Sequence, residues 1–369
     1  MDNIKLKKIA VCTGGGDAPG LNAVIRAVVL SCIRRGIECY GIRDGFNGIL
    51  SPESYPQGGV VLLGHPNVKG ITQLGGTILG TTNRGNPLHY PIQKADGTIV
   101  ETDRSGEILQ FFKQNEIAAL ISIGGDGSLL IAHELAQKGL KIIGIPKTID
   151  NDLEQTVVTF GFDTAVSFAT ECLDRLHSTA ESHHRIMVVE VMGRYAGWIA
   201  LNSGIAGVAD AVLIPEIPYQ LEKVVEKISS LEKRGRTYAV IVVAEGAKPV
   251  DGEVTVLAKE IGRKERLGGV GEKVAKELSQ MTGQETRVVV LGHLLRGGKP
   301  TCFDRLIALR FGAAAVRALE EGYSDVMVAL ESPAVKYVPL VSAIRRMKSV
   351  PLTCDTILTG RDLGVCFGD

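Results

Sequence analysis

The chain has 369 residues, 45% of them apolar and only 5% aromatic, and its 41 basic residues balance 41 acidic ones. That length is too great for one ordinary core and comfortable for two domains. Balanced charge excludes a field of one sign, so neither nucleic acid nor a membrane is an expected partner, and any anion site must be a local cluster of Arg and Lys.

Seven scattered cysteines without a CxxC pair argue against a zinc site or a disulfide framework and suit a reducing cytoplasm. No apolar run approaches the length of a membrane-spanning helix. The amino-terminal MDNIKLKK carries no apolar signal core, so no export signal is expected.

In chain order, Ile9–Cys12 reads as a short buried strand that runs into TGGGDAPGLN. A helix follows, with Leu21, Val24, Ile25, Val28, Val29 and Ile33 at helical spacing. Gly14, Gly15 and Gly16 at the strand-to-helix turn make a candidate phosphate loop. The turn is neither GxGxxG nor GxxxxGK[ST], so neither standard mechanism applies. Ile37–Ile42 is the next strand, and residues 75–87 form a long polar loop with one cation, Arg84. Glu107–Gln114 is helical.

Two strands, Ala118–Ile123 and Lys141–Ile145, then run into the loops GGDGS and PKTIDND. These supply Asp126, Asp150 and Asp152, the cation Lys147, and the hydroxyls of Ser128 and Thr148. In open α/β sheets ligands sit at the carboxyl ends of strands. Glycines with uncovered N–H groups suit a phosphate there, and nearby carboxylates suit a divalent metal and proton removal.

Asp163–Ala180 reads as an amphipathic helix ending in ESHHR. The strands Ile186–Val191, Val212–Ile214, Tyr238–Val243 and Val288–Leu291 follow, the first, third and fourth ending in MGRYAGW, Glu245-Gly246 and GHLLRGG. A helix from Asp304 to Glu320 leads to the last clear strand, Asp325–Leu330, and residues 346–369 are weakly patterned. The repeated βα units predict an α/β chain: two doubly wound, mainly parallel-sheet domains with the active site in the cleft between them.

Asp126, Asp150, Asp152, Arg185, Arg194, Glu245, His293 and Arg296 all fall at or beside strand ends. A single such residue is as well explained by a helix cap or a surface ion pair. The set, with complementary charges, points to a phosphorylated, hydroxyl-rich ligand.

GGGDAPGLNAVIR, GGTILG, GGDGS, PKTIDND, HHRIMVVEVMGRYAGW, VAEG and TRVVVLGHLLRGG, in this order from Ile9 to Gly298, resemble the phosphofructokinase family. The resemblance implies Mg²⁺-dependent phosphoryl transfer to the 1-hydroxyl of fructose 6-phosphate. Asp150 would be the general base, flanked by Thr148 and Asp152, and Asp126 would bind Mg²⁺. Gly16, Gly125, Gly127 and Ser128 would line the donor site beside Lys147, and Arg84 resembles the donor-phosphate arginine that stabilises the transition state. Thr148, Asp150, Met192, Gly193, Arg194, Glu245, His293 and Arg296 would hold the sugar phosphate, with Arg194 also near the chemistry. Arg185 and Arg287 match positions that reach the 6-phosphate from a neighbouring subunit, which implies a homo-oligomer, a tetramer with shared active sites. Residues 1–160 with about 294–345 would form the donor domain, and 161–293 with about 346–369 the fructose 6-phosphate domain.

The donor signals are mixed. Gly127 resembles ATP-dependent members, because an Asp there would oppose the α-phosphate. Lys147 resembles the pyrophosphate-dependent branch, and Ile131 stands where many ATP enzymes have Gly beside the adenine. ATP is the expected donor and pyrophosphate the alternative. A non-catalytic sugar-phosphate or nucleotide sensor is disfavoured because a sensor needs no base at Asp150. Arg26 and Arg236 match cations of the bacterial effector site, but Leu30 and His177 replace two arginines there. Each lost charge-assisted contact is worth about 1.5–3 kcal/mol, so control by ADP or phosphoenolpyruvate at that site is expected to be weak or changed.

Overall fold

The computed structural model describes residues 6–93, 96–258 and 266–369. The first five residues, part of the segment in which no export signal is expected, lie outside them. In chain order the strands are β1 (Lys8–Thr13), β2 (Glu38–Ile42), β3 (Val60–Leu63), β4 (Tyr90–Gln93), β5 (Ile99–Thr102), β6 (Ala119–Gly124), β7 (Ile142–Pro146), β8 (Ile186–Val191), β9 (Ala211–Leu213), β10 (Ala239–Ala244), β11 (Val256–Ala258), β12 (Arg266–Leu267), β13 (Thr286–Val290), β14 (Val326–Glu331) and β15 (Ala334–Pro339).

The chain divides into two compact units. One comprises Met1–Thr148, Leu153–Gly161 and Arg296–Arg346; the other comprises Ile149–Asp152, Phe162–Leu295 and Met347–Asp369. Each is built on one main sheet with helices packed against it, beside the antiparallel pairs β4-β5 and β11-β12, so the chain is α/β with mainly parallel main sheets, as the βα periodicity predicts.

The first unit's sheet runs β15-β14-β7-β6-β1-β2-β3. Its five inner strands are mutually parallel, and the edge strands β3 and β15 are antiparallel to their neighbours. Every residue of β6 and β7 is buried, which is why these strands read as unbroken apolar runs rather than alternating ones. Alternate residues such as Ala10, Cys12, Leu120 and Ile142 pack with Ile108, Phe112, Leu129 and Leu135 from the helices Ser105–Gln114 and Asp126–Gln137. The helices Leu21–Ile33 and Cys302–Glu320 pack closely together, and Gly312 allows it: a Cβ there would stand 2.6 Å from the Val24 carbonyl oxygen.

The second unit's sheet runs β13-β8-β10-β9 and is wholly parallel. Ile186, Val188, Ile241 and Val243 pack against Val224 and Ile228 of the helix Leu221–Lys233 and Val274 and Leu278 of Val270–Thr282. The helices Phe162–His183 and Trp198–Ala206 also contact this sheet. Among the described residues no helix is long and apolar enough to cross a membrane.

The edge strands β3 and β15, the two-stranded pairs β4-β5 and β11-β12, and the carboxyl-terminal segment differ from the sequence expectation. β3 and β15 are edge strands with partly exposed faces, so neither carries the strong apolar run by which the inner strands are recognised. The weakly patterned segment after Arg346 is part of the second unit. The backbone of Cys366 pairs in parallel with Ala211, the first residue of β9, the helix Asp355–Asp362 contacts Trp198–Ala206, and Phe367 is 1% exposed. Its apolar residues are too few for a periodic signal, yet they complete that core. Phe367→Ala is therefore expected to cost about 3–5 kcal/mol, read from urea unfolding followed by fluorescence of Trp198, the only tryptophan of the chain.

Candidate active site

In the first unit, three loops meet at the carboxyl end of the parallel strands. The loop after β1 is tied to its neighbours by backbone: Gly14 N–H donates to the Ile123 carbonyl and Gly15 N–H to the Thr82 carbonyl, both at 2.9 Å. Thr81 Oγ1 donates to the Gly15 carbonyl at 2.7 Å, and Thr13 Oγ1 to that of Gly80 at 2.6 Å. The long polar loop thus rests on the glycine turn and carries Arg84, exposed, beside it. Thr82 Oγ1 accepts the Arg84 N–H at 3.0 Å and shapes that turn.

The glycines have distinct reasons. A Cβ on Gly14 would stand 2.6 Å from Ser128 Oγ, and one on Gly124 would collide with Ser128 Cβ. The loops after β1 and β6 therefore touch, and only glycine permits it. Gly125 caps the helix Asp126–Gln137, so Asp126, Gly127 and Ser128 form its first turn. Backbone N–H groups there, with the helix dipole, favour an anion. At Gly127 a Cβ would meet nothing within 4 Å. This glycine leaves space rather than serving packing.

Lys147, only 3% exposed, sends its ammonium group beneath the first loop, where it donates to the Gly16 carbonyl. Arg296 lies on the other side of Gly16 and donates from Nη1 to the Asp17 carbonyl at 3.2 Å; a Cβ on Gly16 would stand 2.9 Å from that nitrogen. Two cations thus flank the Gly16 turn. Thr148, at 8% exposure, follows directly, and its carbonyl accepts Thr159 Oγ1 at 2.6 Å. Ile131 is half-buried and packs against the core of this unit.

In the second unit, Asp150 and Asp152 are half-buried and flank Asn151, whose φ of 52° lies in the left-handed region. The loops after β8 and β10 are joined: Glu245 N–H donates to the Val191 carbonyl at 2.9 Å and Gly246 N–H to that of Gly193 at 3.1 Å. A Cβ on Gly246 would collide with the Arg194 carbonyl. Met192, Gly193, Arg194 and Glu245 therefore share one edge of the sheet. Arg194 holds its guanidinium 5.0 Å from the Tyr195 ring centroid. His293, exposed on the short helical turn Gly292–Arg296, follows β13, which neighbours β8.

Arg185 and Arg287 lie at the opposite edge. Arg185 precedes β8, and Arg287 pairs in register with Met187 near that strand's start. At about 3.3 Å per residue, the length of β8 sets them roughly 20 Å from Met192. Both arginines bind one carboxylate. Glu285 Oε2 accepts Arg185 Nε at 2.8 Å, and Oε1 takes Arg287. The hydrogen bond from Arg185, helped by the nearby charge of Arg287, holds the Glu285 carboxyl below its ordinary value. Sequence reasoning missed Glu285, because nothing in one dimension sets it against an arginine 100 positions earlier.

The residues matched to an effector site are engaged within the fold. Arg26 Nη1 donates to the Val68 carbonyl at 2.8 Å. Arg236 grips Asp210 with two hydrogen bonds of 2.8 Å, and His177 Nε2 lies 2.7 Å from the Gly207 carbonyl. Burial pushes the Asp210 carboxyl up, against the pull of the Val240 N–H and of Arg236.

Among the described residues no group of three or more His, Cys, Asp or Glu side chains could hold a metal on protein ligands alone. Asp126, in the first helical turn after the glycines, would offer Mg²⁺ one carboxylate, and that ion takes only one or two carboxylates and completes its shell with phosphate oxygens and water.

Fold and loops together define a doubly wound α/β protein with glycine-rich loops gathered over its strand ends. The phosphofructokinase family profile matches residues 8–319, and the chain belongs to the phosphofructokinase family. A protein of Chloroflexus aurantiacus named ATP-dependent 6-phosphofructokinase is 48% identical over 99% of each chain. One of Amycolatopsis mediterranei named pyrophosphate–fructose 6-phosphate 1-phosphotransferase is 48% identical over 94% of this chain and 96% of its own. Among solved structures, the Pichia pastoris phosphofructokinase in its T-state superimposes with a TM-score of 0.77 at 29% identity over 97% of this chain, which spans 36% of the Pichia chain.

The two glycine environments make opposite predictions. Gly124→Ala is expected to destabilise the protein by about 1–3 kcal/mol through overpacking against Ser128. Gly127→Ala is expected to be neutral or stabilising by up to about 1 kcal/mol. Thermal unfolding of the two variants in parallel checks both.

Proposed function

We propose that this chain transfers a phosphoryl group from ATP to the 1-hydroxyl of fructose 6-phosphate, a step of glycolysis giving fructose 1,6-bisphosphate. The observation that carries the choice of donor is Gly127: it sits in the first turn of the helix at the anion loop, and open space takes the place of a side chain. A glycine with no packing duty leaves room for the α-phosphate and the nucleoside attached to it. The relative from Chloroflexus aurantiacus, named ATP-dependent, supports the same reading.

Asp150 takes the proton from the 1-hydroxyl as that oxygen forms its bond to the γ-phosphorus and the bond to the β-phosphate oxygen breaks. Thr148 and Asp152 position the hydroxyl and the transferring group beside it. Backbone N–H groups of Gly16, Gly125, Gly127 and Ser128 bind the donor phosphates, with the charges of Lys147 and Arg84 close by. Asp126 holds Mg²⁺, which when bound neutralises charge on the donor phosphates. Met192, Gly193, Arg194, Glu245, His293 and Arg296 hold the sugar phosphate. The first compact unit acts as the donor-binding domain, and the second, which includes Ile149–Asp152, as the sugar-phosphate domain.

Arg185 and Arg287 stand a full strand's length from Arg194 of their own chain, so they serve the 6-phosphate bound to a neighbouring copy. The working enzyme is then a homo-oligomer, a tetramer with shared sites. All seven cysteines are free thiols, which suits the cytoplasm.

The alternative donor is pyrophosphate. Lys147 favours it, since a buried ammonium beneath the donor loop adds charge for a short, highly anionic donor. The test is fructose 1,6-bisphosphate formation with Mg²⁺ and either ATP or pyrophosphate. Turnover with ATP alone supports the proposal, and turnover with pyrophosphate alone overturns the donor. Asp150→Asn is expected to cut turnover by about 10²–10⁴-fold while fructose 6-phosphate still binds by calorimetry. Wild-type turnover in that variant would remove Asp150 from the role of base.

A further inference from the structure

The loop that carries Asp150 is held by a residue outside all of the family's motifs. Lys348 lies in the carboxyl-terminal segment, beyond the residues matched by the family profile. Its backbone N–H donates to the Asp152 carbonyl at 2.9 Å, and its Nζ donates to Asn151 Oδ1 at 2.9 Å. Its own carbonyl accepts Trp198 Nε1 at 2.8 Å, and its ammonium lies 5.7 Å from the Trp198 ring centroid. Two residues on, Val350 N–H donates to Glu216 Oε1 at 2.8 Å, and the Glu216 carboxylate also takes the Gly197 N–H. The segment is therefore pinned to the start of the Trp198–Ala206 helix where it meets the aspartates.

Asn151 turns the chain between the two aspartates: its φ of 52° lies in the left-handed region, which asparagine tolerates better than most non-glycine residues. A turn at that residue sets the directions in which Asp150 and Asp152 project. Lys348 grips its side chain and the carbonyl of the next residue. Both contacts, and the Trp198 anchor, lie within one compact unit.

We infer that Lys348 is a positioning residue for the aspartate loop: acting through Asn151, it holds Asp150 in the orientation that proton removal requires. This rests on the role proposed for Asp150. The residue acts through geometry, so its loss falls on turnover rather than on substrate affinity.

The test is Lys348→Met, which keeps the length and apolar stem and removes the donor. Hydrogen exchange of the peptide covering Thr148–Leu153 is measured beside steady-state kinetics and thermal unfolding. Exchange in that peptide is expected to rise about tenfold, with kcat falling about 10–100-fold, both KM values within about twofold, and the unfolding temperature nearly unchanged. Adding Lys348→Met to Asn151→Ala is expected to lower kcat by less than Lys348→Met does alone, since the two substitutions break one contact. Unchanged exchange and kcat overturn the inference. So does faster exchange throughout the second unit with a lowered unfolding temperature, which makes Lys348 merely structural. If the wild type phosphorylates no fructose 6-phosphate, the proposed function fails, while exchange in the loop still decides whether Lys348 clamps it.

Discussion

The contact between the loops after β1 and β6 is the constraint on which the candidate site depends. Gly14, Gly124 and Ser128 occupy a space that admits no further carbon. Because the loops touch, the Gly16 turn and the start of the helix at Asp126 are held close together. Lys147 and Arg296 can then flank one turn instead of two separate ones. Widening that contact would scatter the anion site while leaving the sheet below it intact.

The second unit uses a different device for a similar end. Its parallel strands put the residues before and after each strand at opposite edges of the sheet. Arg194 and Glu245 are gathered at one edge because the loops after β8 and β10 share backbone hydrogen bonds. Arg185 and Arg287 are gathered at the other because adjacent strands begin in register. Arginines at both edges of one small sheet, a strand's length apart, are hard to reconcile with one ligand in one chain. Glu285 keeps the outer arginines together and limits the cost of placing two like charges side by side.

The carboxyl-terminal segment shows how a weakly patterned stretch can matter. Phe367 closes a core, Cys366 extends a sheet edge, and Lys348 meets the aspartate loop. None of these duties needs periodic hydrophobicity, so none left a mark in the sequence. The antiparallel edge strands β3 and β15 were hidden for a related reason. A strand with one neighbour and a partly wet face needs no unbroken apolar run.

The sequence by itself determined the βα order, because buried parallel strands demand continuous Val, Ile and Leu. It also determined which loops carry Gly, Asp and Arg, because those residue types at strand ends have few other uses in such number. Family membership was legible from TIDND, MGR and GHLLRGG for the same reason. Only the tertiary structure decided which glycines are packed and which, like Gly127, are open. It also placed Arg296 against Gly16, set Glu285 against Arg185 from 100 positions earlier, and brought Lys348 to Asn151. Those facts depend on which strands lie side by side and how closely loops approach, and a linear pattern carries neither distance.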